Sequence, residues 1–165
     1  MNYLKKIAIF FVLIALLAAC SSSNSSTCMK ESKVVAGVAL YKCEYNSEQE
    51  VFTSSPITET LTVQGVGSDS VLYASWSVSS IELPLHINVD STQFVVQRDS
   101  TGTDTLTIFH TNEQNFISMA CGCFVYHTIT DVRTTTNQID SAVIYDARVE
   151  NISNTHLRLY FKIAK

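Results

Sequence analysis

The chain has 165 residues, 46% of them hydrophobic, with eleven Lys and Arg against fifteen Asp and Glu. Its basic residues form no cluster, which argues against nucleic acid or an anionic lipid surface as partner, and the scattered acidic residues suit a solvated surface. No G-x-S-x-G elbow, H-E-x-x-H pair or phosphate-cradling glycine loop occurs, so the commonest hydrolase, metalloprotease and nucleotide-binding signatures are missing.

The first element is an export signal. Lys5 and Lys6 form a positive n-region, and IAIFFVLIALLAA, Ile7 to Ala19, is a thirteen-residue apolar run. A bilayer-spanning helix takes about 20 such residues. The run is therefore too short to cross and fits a cleaved signal peptide. Its ending, Leu17-Ala18-Ala19-Cys20, resembles a bacterial lipobox. In that class the cysteine takes a diacylglyceryl group on sulfur, becomes the first mature residue and is acylated on its amine. Residues 1–19 are thus expected to be a lipoprotein signal, Cys20 the lipidated residue, and 20–27, with its SSSNSST run, a flexible polar tether. Residues 28–165 suffice for a single domain. Without the leader, nine basic residues face fifteen acidic ones, a net charge of −6.

After residue 28 no helical stripe occurs. Short runs of β-branched and aromatic residues predict strands at 34–45, 59–65, 70–78, 92–98, 104–110, 115–129 with a bend at Gly122, 141–150 and 156–163. In the last, Leu157, Leu159, Phe161 and Ile163 fall on one face, and His156, Arg158, Tyr160 and Lys162 on the other. Turn residues separate the runs at Gly65 to Asp69, Leu83 to Leu85, Asp99 to Asp104 and Thr134 to Gln138. The carboxylates of Asp99 and Asp104 around Gly102 read as a hairpin turn in preference to a calcium loop, because the glutamate and length of an EF-hand are missing. The fold expected is all-β: a two-sheet antiparallel sandwich of immunoglobulin-like kind, with a barrel as the alternative. No repeat of solenoid or propeller length is visible.

Cys28, Cys43, Cys121 and Cys123 remain once Cys20 is lipidated, an even number in an oxidising compartment. Two disulfides are expected. A Cys121–Cys123 bridge would be strained, so one or both of Cys28 and Cys43 should cross to the later pair. Met119, Cys121 and Cys123 share a strand face, and His127 follows four residues on with His110 nearby in sequence. Thioether, thiolate and imidazole would suit copper or zinc. Disulfides with Met119 as core filler are preferred, since a lone C-x-C lacks its second half, and no cofactor is expected. Trp76 reads as a core anchor, with a sugar-stacking platform as its alternative. His86 and His156 read as surface histidines.

The segments VQGVGSDSVLY, ELPL, STQFVV, DTLTIFHTNEQNFISMACGC and IDSAVIYDARVENISNTHLRLYF together resemble a family of small, functionally uncharacterised Bacteroidota lipoproteins, over about residues 28–163. Members often carry Ser-Pro or Pro ahead of the Cys-Gly, where this chain has Met119-Ala120. The resemblance implies a Gram-negative envelope and a β-rich fold, and it assigns no catalytic residue. Surface-exported lipoproteins of that group carry an acidic cluster after the anchor, and Ser21 onward has none. An outer-membrane lipoprotein facing the periplasm is therefore expected. Of seven aspartates, five precede Ser or Thr. Those pairs resemble the group's O-glycosylation acceptors at Ser70, Ser91, Ser100, Thr105 and Ser141, of which Ser70, Ser91 and Ser141 are the best placed if they lie in turns. The function expected is a non-enzymatic structural or interaction module whose partners are the membrane, through its lipid, and an envelope protein or glycan. Soft-metal handling through Met119, Cys121, Cys123 and His127 and carbohydrate binding are the alternatives.

Overall fold

The structure, a computed structural model, describes residues 28, 33–47, 49–98 and 102–163. The signal expected over 1–19, Cys20, the tether expected after it, Asp99 and Ser100 lie outside them. The described residues form eleven strands: β1 (Ala36–Asn46), β2 (Val51–Pro56), β3 (Glu59–Gly65), β4 (Val71–Val78), β5 (Ser80–Leu83), β6 (Ser91–Arg98), β7 (Gly102–Ser118), β8 (Gly122–Thr134), β9 (Ile139–Ile144), β10 (Arg148–Val149) and β11 (Leu157–Phe161). No helix among them is long and apolar enough to cross a membrane.

The strands make two sheets, in orders β2-β1-β11-β9 and β10-β8-β7-β6-β3-β4. The fold is the expected all-β sandwich. In the first sheet β5 lies beside the opening half of β1 and β2 beside its closing half. They change over at Leu40, whose N–H donates to the Ser79 carbonyl while its own carbonyl accepts from Ile57. Every strand pair is antiparallel except β1 with β11, which run parallel from Val38 opposite Leu157 to Lys42 opposite Phe161.

The core follows from alternation. Val38 and Leu40, Leu61 and Val63, Leu106 and Ile108, and Leu157 and Leu159 are all fully buried two-apart pairs. Their intervening neighbours face outward. On the outer face of the first sheet Arg158 lies over the rings of Tyr41 and Tyr145, 5.1 and 3.9 Å from their centroids. At one end of the sandwich, Arg98 of β6 makes a two-bond ion pair with Glu59 of β3 at 2.7 and 2.8 Å. It also donates to the Lys162 carbonyl just past β11, joining the sheets.

Several sequence expectations are corrected. The single strand predicted over 115–129 is the tip of a long hairpin, β7 and β8, reversing at Met119 to Cys121 before Gly122 at φ +71°. The strand predicted at 141–150 breaks into β9 and β10, and β2 and β5 were not foreseen. His156 is buried, because it precedes β11 and turns inward: its Nδ1 accepts from the Gly37 N–H at 2.9 Å, and its own N–H donates to the Gly37 carbonyl at 2.7 Å. A side chain at Gly37 would run into the Asn154 carbonyl, so that close approach needs glycine. Trp76 is 57% exposed, not a core anchor, since β4 is an edge strand whose register slips around Ser75, at φ +56°.

Asp104 is the other correction. Expected where the turn from Asp99 hands over to the strand at 104–110, it lies inside β7 with its side chain buried. Its carboxylate accepts from the backbone N–H groups of Asn137, Gln138 and Ile139 and from the Thr135 hydroxyl, at 2.7–2.9 Å. Burial works to raise its pKa, yet these donors together hold it below the usual value. The loop between β8 and β9 is therefore shaped around one anion. Asp104→Ala should lower unfolding free energy by about 2–4 kcal/mol, read from urea midpoints at neutral pH. Because the folded pKa is depressed, the contribution is complete above the unfolded value of 3.8 and disappears as pH falls through the folded one. An unchanged midpoint in the variant would refute the role.

Candidate functional site

Two features collect the unusual side chains, and both belong to the β7–β8 hairpin. The first is a polar cluster at its base. His110 on β7 and His127 on β8 meet edge to face with ring centroids 5.1 Å apart. Asn112 lies two residues beyond His110, on the same face, and directly opposite His127. Its Nδ2 donates to the carbonyls of Ile87 and Val89, at 3.1 and 2.7 Å. Its Oδ1 is left to accept from both imidazoles, 2.9 Å from His110 Nδ1 and 2.7 Å from His127 Nδ1.

That arrangement fixes the protons. Each ring presents Nδ1–H to Asn112, so His110 Nε2 is bare and accepts from the Thr92 hydroxyl at 2.9 Å. The Thr92 oxygen in turn accepts from the His86 N–H, also at 2.9 Å. Burial lowers the pKa of His110, and burial with the neighbouring imidazole lowers that of His127 to about 4. Both rings are neutral near pH 7.

Hydroxyl, imidazole and amide here follow the connectivity of a hydrolase relay. The rest of the geometry makes a clamp. The Thr92 oxygen is already held by a backbone N–H, His110 is 1% exposed, and a second imidazole shares Asn112. What the cluster holds is the loop from His86 to Asp90, where His110 N–H also donates to the Asp90 carbonyl. Beside the loop runs a groove of about 440 Å³, with Val66, Leu72, Leu85 and Phe94 as its apolar lining and Ser70 and Gln93 among its polar groups.

The second feature is the hairpin's outer end. Cys121 is bonded to Cys28, with Cα atoms 4.8 Å apart, as one of the two crossings expected. The second disulfide is not formed: Cys43 and Cys123 are free and exposed. Cys43 sits on β1 opposite Ser54, and Cys123 on β8 opposite Phe116, so the strands keep them in different sheets. The soft-metal set does not assemble either. Cys121 is spent in its bridge, Met119 is 94% exposed and so not the core filler expected either, and His127 stands four strand residues from Cys123, about 13 Å along the chain. No cluster of three or more metal-binding side chains occurs among the described residues.

The acceptor serines divide. Ser70 is exposed beside the turn after β3, and His86 is exposed as expected. Ser91, Thr105 and Ser141 are half-buried within β6, β7 and β9, so the turn placement holds for Ser70 and fails for these three. Ser100 lies outside the described residues. Thr92, Asn112 and Asp104 were missed as structural centres. The His-x-Asn spacing of His110 and Asn112, which puts both on one strand face, was the available signal.

Together these features define a small β-sandwich module with one long, disulfide-pinned hairpin. The model of a family of unknown function, DUF6452, matches residues 60–161, and the chain belongs to that family. Comparison with curated proteins and with solved structures finds no match.

The cluster carries a pH signature. For His127 the folded pKa lies below the unfolded value of 6.5, so between about 4 and 6.5 the unfolded chain binds more protons. Stability should therefore be full above pH 6.5 and fall as the solution is acidified toward pH 4. Asn112→Ala, which orphans two buried N–H donors, should cost about 1–3 kcal/mol for each donor left unpaired. Urea melts across that pH range check both, and a flat profile would count against neutral, buried imidazoles.

Proposed function

We propose that the protein is a lipid-anchored module of a bacterial envelope, held at the outer membrane by Cys20 on the periplasmic side, that works by binding or support and not by catalysis. The observation that carries the reading is the Cys28–Cys121 bridge. Disulfides persist in exported proteins, and a leader ending in Leu17-Ala18-Ala19-Cys20 is how such a chain would leave the cytosol. The non-catalytic part is supported by the clamp, whose hydroxyl and imidazoles are engaged in holding a loop. The groove at that loop, about 440 Å³, is of a size that takes a small ligand or a partner's side chain. Cys20→Ala should give an unprocessed or soluble product in the native host. Persistent pelleting of that variant with membranes after a carbonate wash would overturn the anchor.

Glycan binding is a second reading, and one observation favours it. Trp76 stands exposed on the edge strand β4 with Tyr73 edge-on at 5.5 Å, an aromatic pair on which a sugar ring can stack. Tyr73 is held in place, its hydroxyl accepting from the Glu82 N–H at 2.8 Å. A glycan-array signal lost in Trp76→Ala, with folding unchanged, is the expected result. No signal from the wild-type chain removes this reading.

A further inference from the structure

The outer end of the β7–β8 hairpin is built unlike the rest of the surface. Strand β7 loses its β6 neighbour beyond Phe109, which pairs with Ser91, and β8 meets β10 only at His127 and Thr128. Among the described residues the ribbon from Glu113 to Tyr126 pairs with no other strand. A two-stranded ribbon is marginal in water. Beyond Glu113, which is ion-paired with Arg148 at 2.7 Å, this one also lacks charge, for no Asp, Glu, Lys or Arg occurs from Gln114 to Thr130. At its summit Phe116 is 64% and Met119 94% exposed, with Ala120 and Cys123 also exposed. An uncharged projection topped by Phe and Met marks a contact with something apolar.

The covalent structure says what that contact is. Cys121, in the summit turn, is bonded to Cys28, and Cys28 lies eight residues after Cys20. Eight residues reach about 29 Å at full extension. The lipid and the hairpin summit are thus joined by a leash shorter than the thickness of a bilayer's hydrocarbon core, about 30 Å. The far end of the molecule is fixed by the strand directions. Gly102 at the start of β7 pairs with Arg98, which bonds the Lys162 carbonyl, and β11 ends beside Lys42 of β1. Cys43 is the next residue. It lies at the end of the sandwich opposite the summit.

We propose that the β7–β8 summit is a second membrane contact, with Phe116 and Met119 seated at the headgroup–acyl boundary of the same bilayer that holds Cys20. The inference rests on the lipid anchor proposed above and adds an orientation to it. The domain stands on its hairpin, and the β1–β2 hairpin with Cys43 faces away. Because the summit is uncharged, the contact is apolar, and it should be insensitive to salt and to anionic lipid.

The two free thiols supply the test. Mature acylated protein is reconstituted in phosphatidylcholine vesicles after labelling with an environment-sensitive fluorophore, at Cys123 in a Cys43→Ser variant and at Cys43 in a Cys123→Ser variant. The Cys123 probe should gain several-fold in emission on reconstitution and be quenched by nitroxide-bearing lipid, while the Cys43 probe stays unchanged. Adding Phe116→Ser and Met119→Ser should abolish the Cys123 response while the protein still floats with vesicles through its lipid. A Cys123 probe as aqueous as the Cys43 probe, in protein whose intact mass includes the acyl chains, overturns this inference and leaves the anchor standing. A mass without acyl chains from the native host overturns the anchor and this contact together. A Cys123 response that rises with protein concentration in the absence of vesicles assigns the summit to a second copy of the chain and overturns the membrane contact.

Discussion

The parallel pairing of β1 with β11 is the constraint on which the rest depends. Parallel neighbours cannot be joined by a tight turn. Here the connection between them is nearly the whole domain, so the first sheet cannot be completed until the last strand arrives. His156 and Gly37 register that closure by exchanging hydrogen bonds at the start of both strands. At the other end Arg98, reaching from the second sheet to the Lys162 carbonyl, locks the last strand in place. A topology closed by such distant segments has high contact order, and slow folding follows from it.

Inside that frame the buried polar groups each organise a stretch of irregular chain. Asp104 gathers three consecutive backbone N–H groups and a hydroxyl, His156 seals the start of β1, and the His110–Asn112–His127 cluster fixes the loop leading into β6. The division of charge is consistent with the number of donors available. A carboxylate that meets four donors stays ionised despite burial, while imidazoles that meet one amide oxygen stay neutral. The irregular segments are therefore held by side chains where the ladders cannot hold them.

The alternation of Leu157, Leu159 and Phe161 and of Leu61 and Val63 was enough to read the sandwich, because a half-buried strand has only one way to bury such a pattern. The same rule failed where tertiary context intervenes. It placed His156 outside, since the period of two does not extend past the first residue of a strand. Trp76 was a matter of aromatic bulk and not of period, and nothing local says that β4 is an edge strand with a slip at Ser75. Bridge partners were half legible. Spacing favoured a crossing to the later cysteines, but Cys43 and Cys123 are separated by sheet assignment, which composition does not encode. The loop-holding residues were least legible, because Asn112 and Asp104 act on chain 23 to 35 residues away.

The bridge also decides how the molecule bears tension. Cys28 and Cys121 are 93 residues apart in sequence, and the bond between them short-circuits everything in that interval. A pull applied between Cys28 and the C-terminal end travels through sulfur directly into the hairpin turn. Strands β1 to β7 hang as a closed covalent loop and add nothing to the extension. Only the chain from Cys121 onward can pay out, and within it β8 is sheared against β7 from Ser118 to Leu106. Shear loads many hydrogen-bonded rungs at once where peeling would break them singly. A domain pulled through Cys28 thus resists being drawn out, and the loop of 93-residue separation is spared extension.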